Sequence, residues 1–322
     1  MFVTLTCNPA VDYHMNPPRF PSEPTTYRSA HESFRVGGKG ITVSRVLHNL
    51  GAETVAWGFA GGFTGDYIRN CLDKEGVSQD FISLPDQLTR INIKIKAGEE
   101  EGELNASGPF VSEADLQALY EKVSRLTRED VFICSGSPAR MEPREEPFYL
   151  SLAKRLSENG VPFVFDFSGR DLFSILPYRP FLIKPNRLEL SQLFPVPDTA
   201  SPAELASMAD QLCSMGAQNV IISIGDKGAL YSNGRSRFYC PGFRPGHYAF
   251  HDAVGAGDSM IAGFLYALKN KKYGEKEAFA TAVASATATV YSEGLATREM
   301  TEEFFEQILP TVETLPDHCF RE

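Results

Sequence analysis

Short apolar runs alternate with helical patterns along most of the 322 residues. An apolar run bounded by turn residues is typical of a strand that is buried on both faces of a sheet. Such runs predict strands at residues 2–6, 54–59, 131–134, 163–167, 181–184 and 220–224. Strands that alternate with helices form parallel sheets covered on both faces. The pattern therefore predicts an α/β chain that binds its ligand beyond the carboxyl ends of the strands.

Helix start signals lie between these runs. Ser112 opens a stretch with apolar residues at helical spacing, namely Leu116, Leu119, Tyr120 and Val123. Ser201 and Glu204 have the spacing of a capping box, with Pro202 at the first helical position. The second signal predicts a helix that ends near Gly216.

Residues 90–96 alternate strictly, which is typical of a strand with one buried face. Isoleucine occupies one face at 91, 93 and 95, and the other face carries Arg90, Asn92, Lys94 and Lys96. The strand is predicted to turn at 98–102 into an antiparallel partner near 103–106. With the proline-rich stretch 9–36, it predicts a β appendage whose apolar face is covered by the substrate cleft or by a second subunit. The alternative for the polar face is the solvated side of an edge strand.

Composition and charge narrow the class of protein. The 35.6 kDa chain has 22% charged and 43% hydrophobic residues, as is usual for a globular protein. A net charge of −10 argues against a nucleic-acid or anionic-membrane partner. No apolar run approaches the ~20 residues of a membrane span, and no leader pattern is present, which predicts a cytoplasmic protein. The histidines form no metal-binding pattern, and no disulfide or zinc pattern is formed by Cys7, Cys71, Cys134, Cys213, Cys240 and Cys319.

Small residues precede a predicted helix near residue 258. Gly255-Ala256-Gly257-Asp258 leads into a helical pattern with apolar residues at Ile261, Phe264, Leu265 and Leu268. Unpaired N–H groups and the positive end of the helix dipole converge there, so the segment is a candidate anion site. Asp258 can accept a proton from a hydroxyl while these N–H groups hold a migrating phosphoryl group. The alternative is a close-packed turn with an aspartate at the helix start.

A second glycine segment, Gly37-Gly38-Lys39-Gly40, also precedes a predicted helix, which Gly51 ends. It is neither a Walker A loop nor a GxGxxG motif. Taken alone, it is either a ligand-binding loop to which Lys39 adds a positive charge or a tight turn.

The two glycine segments together resemble the signature regions of the ribokinase-like (PfkB) family of sugar kinases. The resemblance covers nearly the whole chain. Further segments are similar to the branch that phosphorylates fructose 1-phosphate or tagatose 6-phosphate, namely 6–12, 89–94, 135–137, 183–186 with Glu189, 223–225 and 228–229. The resemblance implies one three-layer α/β/α domain over residues 1–322, with a mostly parallel central sheet. It also implies a small β-sheet lid formed by segments near 10–36 and 88–108.

The resemblance implies roles for individual residues. Asp258 matches the catalytic base, and Gly255-Ala256-Gly257 matches the anion hole for the γ-phosphoryl group. Arg28 and Arg90 match positions that hold the phosphate already on the sugar, because the arginine fork binds phosphate through two N–H groups. The other substrate-binding matches are Asp12, Gly37, Gly38, Lys39, Thr42, Asn92 and Ser137. The matches on the nucleotide side are Lys184, Asn186, Ser223, Gly225 and Gly228.

The implied cofactors are ATP and Mg²⁺. Asn186 and Glu189 match residues that arrange the metal largely through water, since Mg²⁺ tends to keep several waters. The same pair is by itself a good helix capping box. The resemblance leaves open whether K⁺ binds near Asp252.

Three departures from the family pattern lie on the sugar side. Thr42 replaces the usual asparagine and loses the ability of an amide to donate and accept together. Residues 135–139 lack the usual leucine after Ser137, and Tyr27 replaces the asparagine expected before Arg28. The nucleotide and catalytic segments match, so the identity of the sugar is less determined than the reaction.

The sequence therefore predicts an ATP- and Mg²⁺-dependent kinase of a phosphorylated ketohexose, with fructose 1-phosphate as the first choice of acceptor. Tagatose 6-phosphate or another sugar is the nearest alternative. A catalytically silent sugar-phosphate-binding regulator is a second alternative, against which the intact Asp258 argues. A nicotinamide-dependent oxidoreductase is disfavoured because GxGxxG does not follow the first strand. A homodimer through the lid is expected, since a two-fold pair covers both exposed sheet faces with one surface.

Overall fold

The computed structural model describes residues 1–316 other than 168, 170, 196 and 198, so His318 and Cys319 lie outside the described residues. In chain order, the strands of the described part are β1 (Phe2–Thr6), β2 (Ala10–Met15), β3 (Glu32–Gly37), β4 (Thr54–Ala60), β5 (Ser78–Gln79), β6 (Ile82–Ser83), β7 (Arg90–Ala97), β8 (Glu100–Asn105), β9 (Phe110–Val111), β10 (Val131–Ser135), β11 (Arg140–Met141), β12 (Phe163–Asp166), β13 (Leu182–Ile183), β14 (Val220–Ser223), β15 (Gly228–Ser232), β16 (Arg237–Pro241) and β17 (Glu313–Thr314). The α-helices are α1 (Lys39–Asn49), α2 (Gly62–Glu75), α3 (Glu113–Val123), α4 (Phe148–Glu158), α5 (Leu172–Ile175), α6 (Arg187–Leu193), α7 (Pro202–Ser214), α8 (Ala256–Tyr266), α9 (Glu275–Val290) and α10 (Arg298–Ile308).

An eleven-stranded sheet forms the centre of the molecule, in the order β17-β16-β15-β14-β13-β12-β10-β1-β4-β5, with β6 also paired to β4. Pairing from β5 to β14 is parallel, and β15, β16 and β17 extend the sheet antiparallel. Each predicted apolar run contains one strand of the parallel part. In the run 181–184 this strand, β13, is only two residues long. The expectation of a mostly parallel central sheet is confirmed.

Side chains that alternate along the strands reach two separate cores. Val3 and Leu5 of β1 pack with residues of α3, α4 and α7 on one face of the sheet. Phe2, on the opposite face, packs with residues of α1, α8, α9 and α10. Because successive side chains of a strand point to opposite faces, one apolar run contributes to both cores. The three-layer α/β/α arrangement expected from the sequence is confirmed.

The helix starts have the caps that the sequence predicts. Ser112 Oγ accepts a hydrogen bond from the backbone N–H of Asp115, and Asp115 Oδ2 accepts one from the backbone N–H of Ser112. Ser201 and Glu204 make the same reciprocal pair at α7. At the other end of α7, Gly216 has φ of +135°, and a Cβ there would lie 1.9 Å from the Leu176 carbonyl oxygen. The backbone therefore requires glycine just past this helix.

Helix α8, which carries Asp258, is held by close packing. Every residue from Asp258 to Tyr266 is buried. A Cβ on Gly263 would lie 2.4 Å from Ser285 Oγ of α9, so the two helices approach closely at this glycine. Despite the apolar character of α8 and α9, no helix in the described part is long and apolar enough to cross a membrane.

A second, four-stranded sheet forms the lid in the order β3-β2-β7-β8. Strand β7 pairs parallel with β2 and antiparallel with β8. Its interior position shows that the edge-strand alternative for residues 90–96 is wrong. The predicted turn at 98–102 is also too long, because Gly98 has φ of +64° and the chain reverses within Gly98 and Glu99 before β8 starts at Glu100.

The register of the lid separates polar from apolar side chains. One row across the four strands, here called the polar rung, consists of Arg35, Asp12, Asn92 and Asn105. The next row, the apolar rung, consists of Phe34, Tyr13, Ile93 and Leu104. Adjacent rows point to opposite faces of a sheet, so the lid has one polar and one apolar face. Nearer the main sheet, Val11 of the apolar face packs against α2 and Ile41.

Candidate active site

The N-terminus of α8 lies at the carboxyl edge of the central sheet. Gly255 precedes the helix with φ of +82°, a backbone conformation that favours glycine. A Cβ there would lie 3.2 Å from the methyl carbon of Thr42 in α1. Asp258, in the first turn, is 7% exposed. Close packing of two helix starts thus buries a carboxylate in the first turn of a helix, where the backbone N–H groups lack partners within the helix.

A buried charge cluster adjoins Asp258. Asp166, the last residue of β12, accepts a hydrogen bond at Oδ2 from Lys39 Nζ at 3.2 Å. Its other oxygen, Oδ1, lies 3.5 Å from Lys184 Nζ, and both side chains of this second pair are less than a tenth exposed. Asp166 belongs to no recognised motif. Its only sequence signal is a single carboxylate within an apolar run, 163–167.

The cluster shifts the pKa values of its members. Burial, and then the negative charge of Asp166, raise the pKa of Asp258 to about 7, against the opposing effect of Lys39 and Lys184. Burial alone would raise the pKa of Asp166, but the charges of Lys184 and Lys39 lower it overall. Burial alone would lower the pKa of Lys39, but Asp166 and Asp258 raise it overall. At neutral pH Asp166 is therefore ionised, and Asp258 is close to its midpoint.

Lys184 lies against the segment expected to form the anion hole. A Cβ on Gly257 would be 3.0 Å from Lys184 Nζ, so only a residue without a side chain leaves the ammonium group in place. The backbone N–H groups at the start of α8 and this ammonium group together make a cationic surface, of the kind that holds phosphate oxygens.

The expected nucleotide-side residues lie near the ends of β13 and β14 and at the start of β15. Asn186 follows β13 and forms an isolated parallel bridge with Ser223 at the end of β14. Gly225 has φ of +64°, and nothing lies within 4 Å of the position of its missing Cβ, which leaves its backbone open to a ligand. At Gly228 a Cβ would be 2.0 Å from the Cys240 carbonyl oxygen, so glycine is required there by strand packing.

Asn186 and Glu189 form the capping box of α6. Asn186 Oδ1 accepts from the backbone N–H of Glu189 at 2.8 Å, and Glu189 Oε2 accepts from the backbone N–H of Asn186 at 2.8 Å. The capping alternative drawn from the sequence is therefore realised. Among the described residues, no group of three or more Asp, Glu, His or Cys side chains could hold a metal ion.

Three expected acceptor-side residues lie on the polar face of the lid, with Asp12 and Asn92 in the polar rung and Arg90 two residues before Asn92 on β7. Asp12 Oδ1 accepts a hydrogen bond from Asn92 Nδ2 at 2.8 Å. A Cβ on Gly37 would lie 2.3 Å from Asp12 Oδ2, so any larger residue at position 37 would clash with this carboxylate. Burial lowers the pKa of Arg90, and the charge of Asp12 partly offsets the effect. An acid, an amide and a half-buried arginine thus lie together, able to bind hydroxyl and phosphate groups.

Other residues expected at the site are placed less directly. Arg28 is exposed in the connection between β2 and β3. Ser137 is exposed and lines a cavity of about 510 Å³ together with Lys39. Thr42 donates its hydroxyl hydrogen bond to the Gly38 carbonyl oxygen, within its own helix. Asp252 is exposed, and its Oδ1 accepts from the backbone N–H of Val254.

Comparison with known proteins agrees with this geometry. Residues 5–301 match the family described as pfkB family carbohydrate kinase. The chain is 42% identical to the 1-phosphofructokinase of Borreliella burgdorferi, over 90% of this chain and 91% of that protein. It is 34% identical to the D-tagatose-1-phosphate kinase of Bacillus licheniformis, over 92% and 94% of the two chains. The solved structure of phosphofructokinase-2 from Escherichia coli in complex with potassium covers 96% of this chain and 99% of its own, with a TM-score of 0.85 at 26% identity.

These matches extend beyond the short motifs. They confirm the ribokinase-like fold and the expectation that the chain is a kinase. Because the family match includes both glycine segments and the strands between them, the chain belongs to the pfkB family of carbohydrate kinases.

Proposed function

We propose that the chain transfers the γ-phosphoryl group of ATP to the 6-hydroxyl of fructose 1-phosphate, giving fructose 1,6-bisphosphate and ADP. The observation that carries the proposal is the buried carboxylate of Asp258 at the N-terminus of α8, in a cluster with Lys39 and Lys184. A carboxylate in this place can act on an acceptor hydroxyl while the first N–H groups of the helix face the phosphoryl group.

Asp258 accepts the proton of the 6-hydroxyl in the proposed reaction. The sugar oxygen then forms a bond to the γ-phosphorus, and the bond from that phosphorus to the β–γ bridging oxygen breaks, its electron pair leaving with ADP. The raised pKa of Asp258, about 7, makes the carboxylate a stronger base than an ordinary aspartate. Near neutral pH, Asp258 can therefore both accept the proton of the hydroxyl and release it again.

The N-terminus of α8 stabilises the negative charge of the transferring group. The donors proposed for this role are backbone N–H groups at the start of the helix and the ammonium group of Lys184, which lies against Gly257. Fixed donors in a site that excludes water stabilise such charge without having to reorganise during the reaction.

Asn186 and Glu189 would hold Mg²⁺, whose charge neutralises phosphate oxygens when it is bound. Their amide and carboxylate oxygens are of the kind that Mg²⁺ prefers. Since one oxygen of each accepts a capping hydrogen bond, and no larger acidic cluster occurs in the described residues, contact through water fits this pair better than a direct cage.

The polar rung, together with Arg90 on the same face of β7, supplies the proposed acceptor site. Asp12 and Asn92 bind sugar hydroxyls, and Arg90 binds the phosphate already on the sugar. The relative from Borreliella burgdorferi is named a 1-phosphofructokinase, and the one from Bacillus licheniformis a D-tagatose-1-phosphate kinase, so both names place the existing phosphate at C1. A tagatose phosphate is accordingly the second candidate acceptor.

A panel of acceptors tests this function. ADP release is measured with fructose 1-phosphate, fructose 6-phosphate, both tagatose phosphates and the unphosphorylated ketoses, with Mg²⁺ present or chelated and with K⁺ or choline as the monovalent cation. The highest kcat/KM is expected for fructose 1-phosphate. ³¹P and ¹³C spectra of the product are expected to show the new phosphate at C6. A higher value for a tagatose phosphate would select the second candidate, and no turnover of any sugar phosphate would contradict the proposal.

The apolar rung is the basis of the proposed homodimer. Phe34 is 53% exposed and Leu104 is 65% exposed, at the two ends of the same row. Tyr13 stacks on Phe34 at 4.5 Å, and Ile93 lies beside Tyr13 in the register. This row extends across the whole lid, and a second copy related by a two-fold axis covers it with the same surface.

Light scattering tests the dimer. A mass near twice 35.6 kDa is expected for the chain. Leu104→Glu places a charge on the apolar rung and is expected to shift the mass towards the monomer, whereas Glu99→Lys at the hairpin tip serves as a charge-changing control. A wild-type monomer at micromolar concentration with full activity would contradict a dimer through the lid.

A further inference from the structure

The carboxylate of Asp166 connects two lysines that belong to distant segments of the chain. Its Oδ2 lies 3.2 Å from Lys39 Nζ, and its Oδ1 lies 3.5 Å from Lys184 Nζ. The Asp166 side chain is 3% exposed and that of Lys184 6%, whereas the side chain of Lys39 is 44% exposed. A buried carboxylate is tolerated when cations and hydrogen bonds compensate it, and here one oxygen is assigned to each lysine.

The two lysines lie on different sides of the proposed reaction. Lys39 lies two residues after Gly37, the glycine that packs against the Asp12 carboxylate on the acceptor side. Lys184 Nζ lies against Gly257, in the segment that faces the transferring phosphoryl group. The Asp166 carboxylate therefore contacts one lysine on the acceptor side and one lysine at the expected anion hole. Its strand, β12, is central in the sheet and hydrogen-bonded on both sides.

We propose that Asp166 is a positioning residue that fixes the Lys39 and Lys184 ammonium groups on the two sides of the phosphoryl transfer. This inference rests on the proposed reaction at Asp258. Asp166 does not act on substrate itself. Its carboxylate holds two long, flexible side chains in one arrangement, so the entropy of ordering them is lost on folding rather than in the reaction.

A second effect follows from charge. Asp166 neutralises part of the positive charge of the lysines, and it repels the ionised form of Asp258. The charged groups that act on Asp258 are Asp166, Lys39 and Lys184, which come from β12, the start of α1 and the end of β13. Without the Asp166 charge, the lysines would hold Asp258 ionised at lower pH and would attract phosphate at least as strongly, but in a less defined geometry.

The chain contains a matched control for this cluster. Asp210 of α7 is 10% exposed and lies 2.5 Å from Arg237, and it also accepts a hydrogen bond from Ser232 Oγ. This pair is about as buried as Asp166 and Lys184, whereas Lys39 is 44% exposed, and it belongs to the packing of α7 against β15 and β16. Asp210→Asn therefore reproduces the loss of a buried ionic partner without touching the reaction.

The test compares Asp166→Asn, Asp166→Glu and Asp210→Asn with the wild-type chain, using the best acceptor of the sugar panel. Asp166→Asn is expected to lower kcat about 100-fold, the scale of a misplaced reacting group, while the KM for ATP changes less than about threefold. The acid limb of its pH–rate profile is expected to move down by about one pH unit, because a negative neighbour of Asp258 is removed. Asp166→Glu is expected to recover part of kcat, and Asp210→Asn to keep both kcat and the acid limb.

Two results would overturn the proposal. A kcat for Asp166→Asn within about threefold of the wild-type value would mean that the lysines are ordered without Asp166. Recovery of the Asp166→Asn rate at high Mg²⁺, with a weakened response to the metal, would make Asp166 a metal-binding residue instead.

A measurement without sugar separates this inference from the proposed function. Removal of Asp166 takes away a negative charge that keeps Lys39 protonated, so an amine-reactive reagent at pH 8 is expected to label Lys39 several-fold faster in Asp166→Asn than in the wild-type chain. Peptide mass spectrometry measures this rate, and Asp210→Asn should leave it unchanged. Equal labelling of Lys39 in all three proteins would contradict the proposed positioning even if every sugar failed as an acceptor.

Discussion

The two halves of the candidate site are built from different kinds of structure. The transfer half consists of Asp166, Lys184 and Asp258, which are all less than a tenth exposed and lie at the ends of central strands or in the first turn of a buried helix. The acceptor half lies on a four-stranded lid whose polar rung runs from the buried Asn92 to the exposed Arg35. The first half is part of the core of the domain, and the second is carried by a thin sheet.

This difference has a physical consequence. A substitution that removes a charged side chain from the transfer half leaves its buried ionic partner without compensation, so few substitutions are tolerated there. Side chains on the lid can change without disturbing the central sheet. Of the three departures from the family pattern, only Tyr27 lies in a segment of the lid, since Thr42 is in α1 and residues 135–139 follow the central strand β10. Reaction type and sugar identity are therefore determined by parts of the molecule with unequal tolerance for change.

The largest expected effect is in the transfer half. Asp258→Asn removes the proton acceptor while keeping the shape of the side chain, so kcat is expected to fall about 10²–10⁴-fold. Sugar and ATP binding should change little, because neither half loses a cation. Steady-state kinetics at saturating substrates and Mg²⁺ measure the change. A loss of less than about tenfold would remove Asp258 from the role of base.

A smaller effect is expected in the acceptor half. Arg90→Ala should weaken sugar-phosphate binding by roughly 2–4 kcal/mol, the scale of a lost charge-assisted contact, and leave ATP binding nearly unchanged. Lys96→Ala is the matched control, since Lys96 lies on the same strand but is 60% exposed and paired with Glu101. Titration calorimetry separates the two substrates. If ATP binding were weakened as much as sugar binding, the division of the site into halves would be wrong at Arg90.

The buried carboxylate of Asp258 in the transfer half should also lower the free energy of unfolding at neutral pH. Burial raises the pKa of Asp258 from 3.8 to about 7, so above pH 4 the folded state bears an ionisation penalty that the unfolded chain does not. The penalty is absent below pH 4, grows as pH rises and is complete above pH 7. Asp258→Asn should therefore raise the free energy of unfolding by up to about 4 kcal/mol at pH 8 and change it little at pH 4. Urea unfolding at both pH values measures this, and equal effects at the two values would contradict the shifted pKa.

The smallest effect is expected at the boundary between the halves. Thr42 donates its hydroxyl to the Gly38 carbonyl oxygen, so it is already bonded within α1. Thr42→Val should change kcat/KM by less than about 1.5 kcal/mol for every sugar, the net scale of one intramolecular hydrogen bond. Comparison of wild type and variant across the sugar panel measures this. A loss of more than about 100-fold for one sugar would show instead that the hydroxyl contacts the acceptor.

Local patterns fixed much of the fold. The runs 2–6, 54–59 and 131–134 each became a central strand, and Ser112 and Ser201 became the predicted caps. The lid hairpin was predicted as well, although its turn was placed over too many residues. These features depend on residues close together in the chain, whose alternation or spacing is visible in the sequence.

The sequence by itself determined the α/β architecture, the glycine segments and the carboxylate of Asp258, because each is encoded by neighbouring residues. Only the tertiary structure brought Asp166 between Lys39 and Lys184, and placed Asp12 beside Asn92 on an interior strand of the lid. These contacts join residues that are between 18 and 127 positions apart in the chain. The register of separate strands and the packing of two helix starts decide them, and neither leaves a periodic signal in the chain.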